Sequence, residues 1–152
     1  MAHLLTTKNK TVPLVFNVDG PVGNNPAQNI KEDVELVQFL LKCYANSPSS
    51  LSAGDKSLLA SLKCTGSMDA FTSLAIQAVQ NHLKKTNPGT VVDGRVSPVT
   101  NISGSYGIDL WTIVALNHGA KKSDPEKWPR LDKFNGCPQR VAELVRRSII
   151  GS

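Results

Sequence analysis

Residues 69–85, DAFTSLAIQAVQNHLKK, carry the clearest helical period in the chain, and what ends it constrains the fold most. Phe71, Ala75, Ile76, Val79 and Leu83 recur at intervals of three and four, which makes one apolar stripe. Lys84 and Lys85 close the helix where its dipole favours positive charge, and Pro88-Gly89 stops it. VVDGRVSP (91–98) follows, with two β-branched residues running into Asp93-Gly94. An Asp side chain in a turn accepts backbone N–H groups, and Gly adopts positive φ without steric cost. The stretch is therefore a corner that aims the next helix across the one before, with Asp93 and Gly94 in a structural role.

Short helices of the same kind flank it. A strand is expected over 10–18, with Val12, Leu14, Phe16 and Val18 on one buried face and Pro13 marking an edge. A loop rich in Gly, Pro and Asn spans 19–29. A helix starts near Asn29 or Ile30, with Val34, Val37, Leu40, Leu41 and Tyr44 inward and Glu32 and Asp33 in its first turn. A second helix covers Ala53 to Leu62, with Leu58, Leu59 and Leu62 inward. A fourth runs from about Ile108 to His118, with Gly119 as the residue that ends it. Residues 121–136 are polar with two prolines and read as an ordered or semi-ordered connector. A last helix begins at Pro138, with Val141, Leu144, Val145 and Ile149 apolar and Arg140, Arg146 and Arg147 largely off that face. With 152 residues, 40% hydrophobic and 19% charged, the chain supports one soluble domain with its own core, filled chiefly by aliphatic side chains because aromatics are only 5%.

A phrase recurs along the chain. Val37-Gln38 with Leu41 is followed by Asp69-Ala70-Phe71-Thr72, then Ala75-Ile76 and Val79-Gln80, then Asp93-Gly94-Arg95-Val96-Ser97-Pro98, then WTIVALN from Trp111 to Asn117. In order and rough spacing this resembles the peptidoglycan-binding domain family, a small helical module often attached to cell-wall hydrolases. The resemblance covers about residues 22–118. It implies a mainly α fold with a crossed three-helix core, here extended by an N-terminal strand and loop (1–21) and a basic connector and helix (119–152). It also implies turn roles for Asp69 and Thr72 alongside Asp93 and Gly94. The sequence departs from the family pattern at Ala70, Val79 and Ser97, and about ten residues separate the second corner from its helix. Those departures bear on the ligand groove more than on the fold.

Catalytic chemistry is not legible. His3, His82 and His118 lack metal-ligand spacing, and the latter two are placed near helix C-termini. Neither a nucleophile elbow nor a phosphate loop occurs, so the chain reads as noncatalytic, without cofactor or metal. Cys43, Cys64 and Cys137 are too few and too scattered for a disulfide framework. Cys43 and Cys64 lie on apolar helical patterns as buried thiols, although one bridge stays open. The net charge is +5, of which residues 120–152 supply +4.

Binding is then the expected work, in a shallow recess beside the corner. Arg95 suits a carboxylate bidentately. Tyr106 and Trp111 offer flat faces, and Asn81 and Asn101 offer amides. The resemblance implies peptidoglycan or a muropeptide as ligand. The altered motif positions leave a second reading open, an adaptor that binds a protein of a bacterial secretion or phage-like apparatus. The basic C-terminal helix raises a third, nucleic-acid binding, which its few arginines and the missing helix-turn-helix pattern disfavour. The first 14 residues lack a continuous apolar run of signal-peptide length and no stretch approaches a membrane span, so synthesis in the cytoplasm is expected, with any export by a non-classical route.

Overall fold

The computed structural model describes residues 2–6, 13–99 and 111–150. The chain is mainly helical, with two short two-stranded sheets. Strand β1 (His3–Thr6) pairs antiparallel with β2 (Leu14–Asn17), with Leu4 opposite Phe16 and Thr6 opposite Leu14. Strand β3 (Val22–Gly23) pairs antiparallel with β4 (Arg95–Val96). The helices are α1 (Lys31–Ala45), α2 (Ala53–Ala60), α3 (Ala70–Lys84), α4 (Thr112–Ser123) and α5 (Gln139–Val145), the last continued by a π-turn over Arg146–Ile150. None of the described helices is long and apolar enough to cross a membrane.

Helix α1 is the centre of the molecule and touches each of the other four helices. Its apolar stripe is wider than the expected positions, because Leu36 and Phe39 also sit in the core. A helix that is apolar nearly all round must be enclosed, and eleven of its fifteen residues are buried. Asp33 is among them. Rather than facing solvent at the helix dipole, its carboxylate accepts the Asp19 N–H at 3.2 Å and the Gly20 N–H at 3.1 Å. Burial holds its pKa above the ordinary value against those two donors.

Strand β2 differs from the one-sided expectation. Val15, Phe16, Asn17 and Val18 are all buried, so both faces are covered, while Val12 lies outside the described residues. The physical reason is α4. Asn117, on that helix, accepts the Phe16 N–H at 2.7 Å and donates to the Phe16 carbonyl at 3.0 Å. Asn17 grips Val99 the same way, accepting its N–H and donating to its carbonyl, each at 3.0 Å. Among the described residues this sheet has two strands, and the backbone of Phe16 is satisfied on its other side by an α4 side chain.

Helix α4 does not stop at His118. It continues to Ser123, and Gly119 lies inside it as a packing residue, not a cap. A Cβ at Gly119 would stand 2.5 Å from Tyr44 Cδ2, so the ring of α1 occupies the place a side chain would need. Gly→Ala inside a helix ordinarily stabilises by about 1 kcal/mol. At Gly119 overpacking, worth about 1–3 kcal/mol, opposes it and wins, because the ring is held in the core. Gly119→Ala is expected to lower the urea midpoint without changing the slope.

The polar stretch 121–136 is ordered and packed on the core. Its first residues complete α4, and Leu131–Lys133 form a 3₁₀ turn. Trp128 meets Phe16 edge-on at 5.6 Å, Phe134 meets Phe39 at 6.4 Å, and Leu131 is fully buried. These three residues, three apart, anchor the segment on the core. Ion pairs fasten the C-terminal helix to α1: Arg140 to Glu35 at 2.9 Å and Arg147 to Glu32 at 3.2 Å. Ile149, expected inward, is 37% exposed at the end of the π-turn.

All three cysteines are free thiols. Burial, reinforced by the other cysteines, pushes Cys43 up to about 12, and burial does the same to Cys64 (about 11) and Cys137 (about 12). The unfolded chain loses these protons from about pH 8.5 and the folded chain keeps them. Their contribution is therefore complete below that pH and is lost as pH rises through the folded values. Two results are expected: labelling of the buried Cys43 at pH 8 that proceeds no faster than unfolding, with the half-buried Cys64 and Cys137 slower than an unfolded thiol, and a urea midpoint that falls above about pH 9. Prompt labelling of all three thiols in the folded protein would contradict it.

Candidate functional site

Two glutamines buried in the core build the site, and they do so in the same way. Gln38 sits on α1 and Gln80 on α3, each after a Val, each fully or almost fully buried. The Gln38 Oε1 accepts the Gly66 N–H at 3.0 Å, and its Nε2 donates to the Ser67 carbonyl and to Thr72 Oγ1, both at 3.1 Å. The Gln80 Oε1 accepts the Gly94 N–H at 2.9 Å, and its Nε2 donates to the Arg95 carbonyl at 2.8 Å and to Thr112 Oγ1 at 3.1 Å. Each carboxamide therefore clasps a glycine, the residue after it and a threonine in the first turn of the helix that follows that glycine.

The corners match as well. Gly66 has φ +78° and Gly94 has φ +70°, a region where L side chains are strained. Before each glycine a side-chain oxygen accepts the N–H two residues on: Thr65 Oγ1 from Ser67 at 3.1 Å, Asp93 Oδ1 from Arg95 at 3.0 Å. The counterpart of Asp93-Gly94 is thus Thr65-Gly66, four residues before the Asp69 that the sequence motif suggested. Asp69 instead caps α3, accepting the Thr72 N–H at 2.7 Å. Thr72 has a dual role, capped by Asp69 through its backbone and clasped by Gln38 through its hydroxyl.

The second corner carries a recess of about 370 Å³, lined in part by Arg95, Trp111, Val91 and Ser97, with Gln80 and Thr112 behind. Of the expected ligand contacts, Arg95 and Trp111 are brought together there. Trp111 is half-buried against the core and precedes α4, so it serves packing and lining at once. Arg95 is tethered loosely: Nη2 lies 3.4 Å from Asp93 Oδ2, and Nη1 donates to the Asn25 carbonyl at 3.3 Å. Both contacts are long for charge-assisted bonds, so the guanidinium can trade them for a carboxylate. Asn81 is exposed on α3 and does not line this recess. A helix turns its successive residues about 100° apart, so burying Gln80 swings Asn81 away. Tyr106 and Asn101 lie outside the described residues.

Sequence reasoning missed Gly66, Thr112 and the role of the glutamines. The available signal was a polar residue placed twice on the apolar stripe of a helix, as Val-Gln. It also placed Phe71 in the core. Phe71 is 65% exposed in the first turn of α3, with Leu74 exposed beside it, because Thr72 takes the inward position to reach Gln38. His118 is mid-helix on α4, not at its end. Among the described residues, no cluster of His, Cys, Asp or Glu could hold a metal ion. Comparison with known proteins finds no matching family model, curated protein or solved structure.

Proposed function

We propose that the chain is a noncatalytic binding module for bacterial cell-wall peptidoglycan or its fragments, built on a peptidoglycan-binding-like core over about residues 22–118. The observation that carries this reading is the recess beside Asp93-Gly94, where a loosely held guanidinium faces the same space as a Trp ring. A wall peptide ends in a carboxylate and is joined to a sugar with an apolar face. Arg95 meets the first bidentately and Trp111 stacks on the second. Gln38, Thr72, Gln80 and Gly94, four of the positions in the resemblance, take part in the paired clasps, while Gly66 and Thr112 lie outside its motifs.

Co-sedimentation with purified insoluble peptidoglycan at low salt tests it. The chain is expected to pellet with the polymer, and Arg95→Ala to weaken this at least about tenfold, the scale of one lost charge-assisted contact. No co-sedimentation, or an Arg95→Ala variant that pellets like wild type, contradicts the reading.

A protein-interaction adaptor of a secretion or phage-like apparatus is the second reading. The exposed pair Phe71 and Leu74 on α3 favours it, since adjacent large apolar side chains left in solvent can mark a contact surface. A stoichiometric protein partner recovered with wild type and lost with Phe71→Ser supports this alternative. Nucleic-acid binding is weakened by the engagement of Arg140 and Arg147 with glutamates of α1.

A further inference from the structure

A second cavity, of about 320 Å³, lies where the C-terminal half of α3 and the body of α4 meet the turn after α1. It shares no lining residue with the recess at Arg95. Basic groups reach it from two helices: His82 from α3, and His118 and Lys122, one turn apart, from α4. The turn after α1 brings Ser47, Ser49 and Ser50, and the end of α3 brings Asn87. None of the lining residues is acidic.

The hydroxyls are not equivalent. Ser47 Oγ donates to the Tyr44 carbonyl at 2.7 Å, which commits it to the end of α1. Ser49 Oγ is buried and makes no hydrogen bond within the protein. Buried polar atoms are rarely left so, and one in a cavity wall is a natural contact for a ligand. The C-terminal ends of α1 and α3 bring partial negative charge, about half a unit each. It is blunted here, because the N–H groups of Asn46, Ser47, Thr86 and Asn87 already engage the last carbonyls. A whole charge on Lys122, with two imidazoles beside it, exceeds what remains.

We infer that this cavity binds a small phosphate monoester, its phosphate against Lys122, His82 and His118 and its body against Ser49 and Asn87. Lys122 supplies the positive charge, and the lining holds no carboxylate. Burial lowers the His82 pKa, so that ring meets a phosphate oxygen as a neutral N–H donor. Phosphate presents enough acceptor oxygens for Lys122 and both rings. The volume stands at the lower end of the roughly 300–1,000 Å³ of small-molecule sites, which leaves space for a short hydroxylated body beside the phosphate.

Glycerol 3-phosphate and, separately, inorganic phosphate are titrated into isotope-labelled full-length protein at constant ionic strength, following the imidazole C–H resonances of His82 and His118 by NMR. Glycerol 3-phosphate is expected to shift both rings saturably, and inorganic phosphate to bind at least about threefold more weakly for want of the body contacts. Lys122→Glu, at an exposed position that the fold tolerates, is expected to weaken binding at least about tenfold. Lys121→Glu, exposed and outside the cavity, is expected to leave it within about twofold. The inference is overturned by the absence of a saturable shift, by equal weakening in both lysine variants, or by equal affinity for the ester and the bare ion. Arg95→Ala is expected to leave this binding intact, so the result stands apart from the wall-polymer reading.

Discussion

Gln80→Ala is expected to cost the protein about 4 kcal/mol of stability, enough to unfold a large fraction of a marginal domain. The side chain is 1% exposed, and its carboxamide is the partner of the Gly94 N–H, the Arg95 carbonyl and the Thr112 hydroxyl. Truncation leaves these groups beside a void that alanine cannot fill. A stranded buried donor or acceptor costs about 1–3 kcal/mol, and the lost packing adds to it. Gln38→Ala is expected to cost a similar amount for the same reason, since its partners are the equivalent ones at Gly66, Ser67 and Thr72. Urea denaturation followed by far-UV circular dichroism checks both. A loss below about 1 kcal/mol at either site would mean that the clasp is ornamental.

Asn117→Ala is expected to cost about 3 kcal/mol and to loosen the N-terminal strands ahead of the rest. Asn117 satisfies both backbone groups of Phe16, and its Nδ2 also donates to the Ile113 carbonyl of its own helix at 2.8 Å. Without it, β2 loses its polar attachment to α4 and keeps β1, the Asn17 bonds to Val99 and apolar contacts. Phe16 lies edge-on to Trp128, so strand loosening alters the surroundings of that indole. Unfolding monitored by tryptophan fluorescence is expected to precede unfolding monitored by circular dichroism in this variant, whereas the two coincide in wild type.

How much of this was legible before the structure depends on whether the signal was local. Helices α1, α2, α3 and α5 begin within about two residues of where their periods and caps place them, because Pro, Gly and Ser punctuation is local chemistry. Helix α4 outran its expected end because Gly119 looks like a stop signal. Only the Tyr44 ring across the interface explains why a glycine belongs there. Strand β1 has no alternation to read, and it exists because β2 is there to pair with. The segment around Trp128, Leu131 and Phe134 was masked by the charges between them.

The candidate site was half legible for a comparable reason. Asp93-Gly94 announces its turn, and Arg95 and Trp111, expected from their chemistry, both line the recess. The repeat behind them is hidden by unequal spacing. Gln80 precedes its glycine by 14 residues, and Gln38 by 28, because α2 lies within the first interval. Thr65 in place of Asp removed the remaining cue at the first corner, although its hydroxyl does the same work.

Native-state amide hydrogen exchange at Gly66 and Gly94 tests the central claim most directly. Both N–H groups donate to a buried carboxamide, so both are expected to exchange at rates near those of the slowest core amides. In Gln38→Ala only Gly66, and in Gln80→Ala only Gly94, is expected to lose protection beyond the global drop in stability. Rapid exchange at these two glycines in the wild-type protein, or a uniform loss in both variants, would contradict the account.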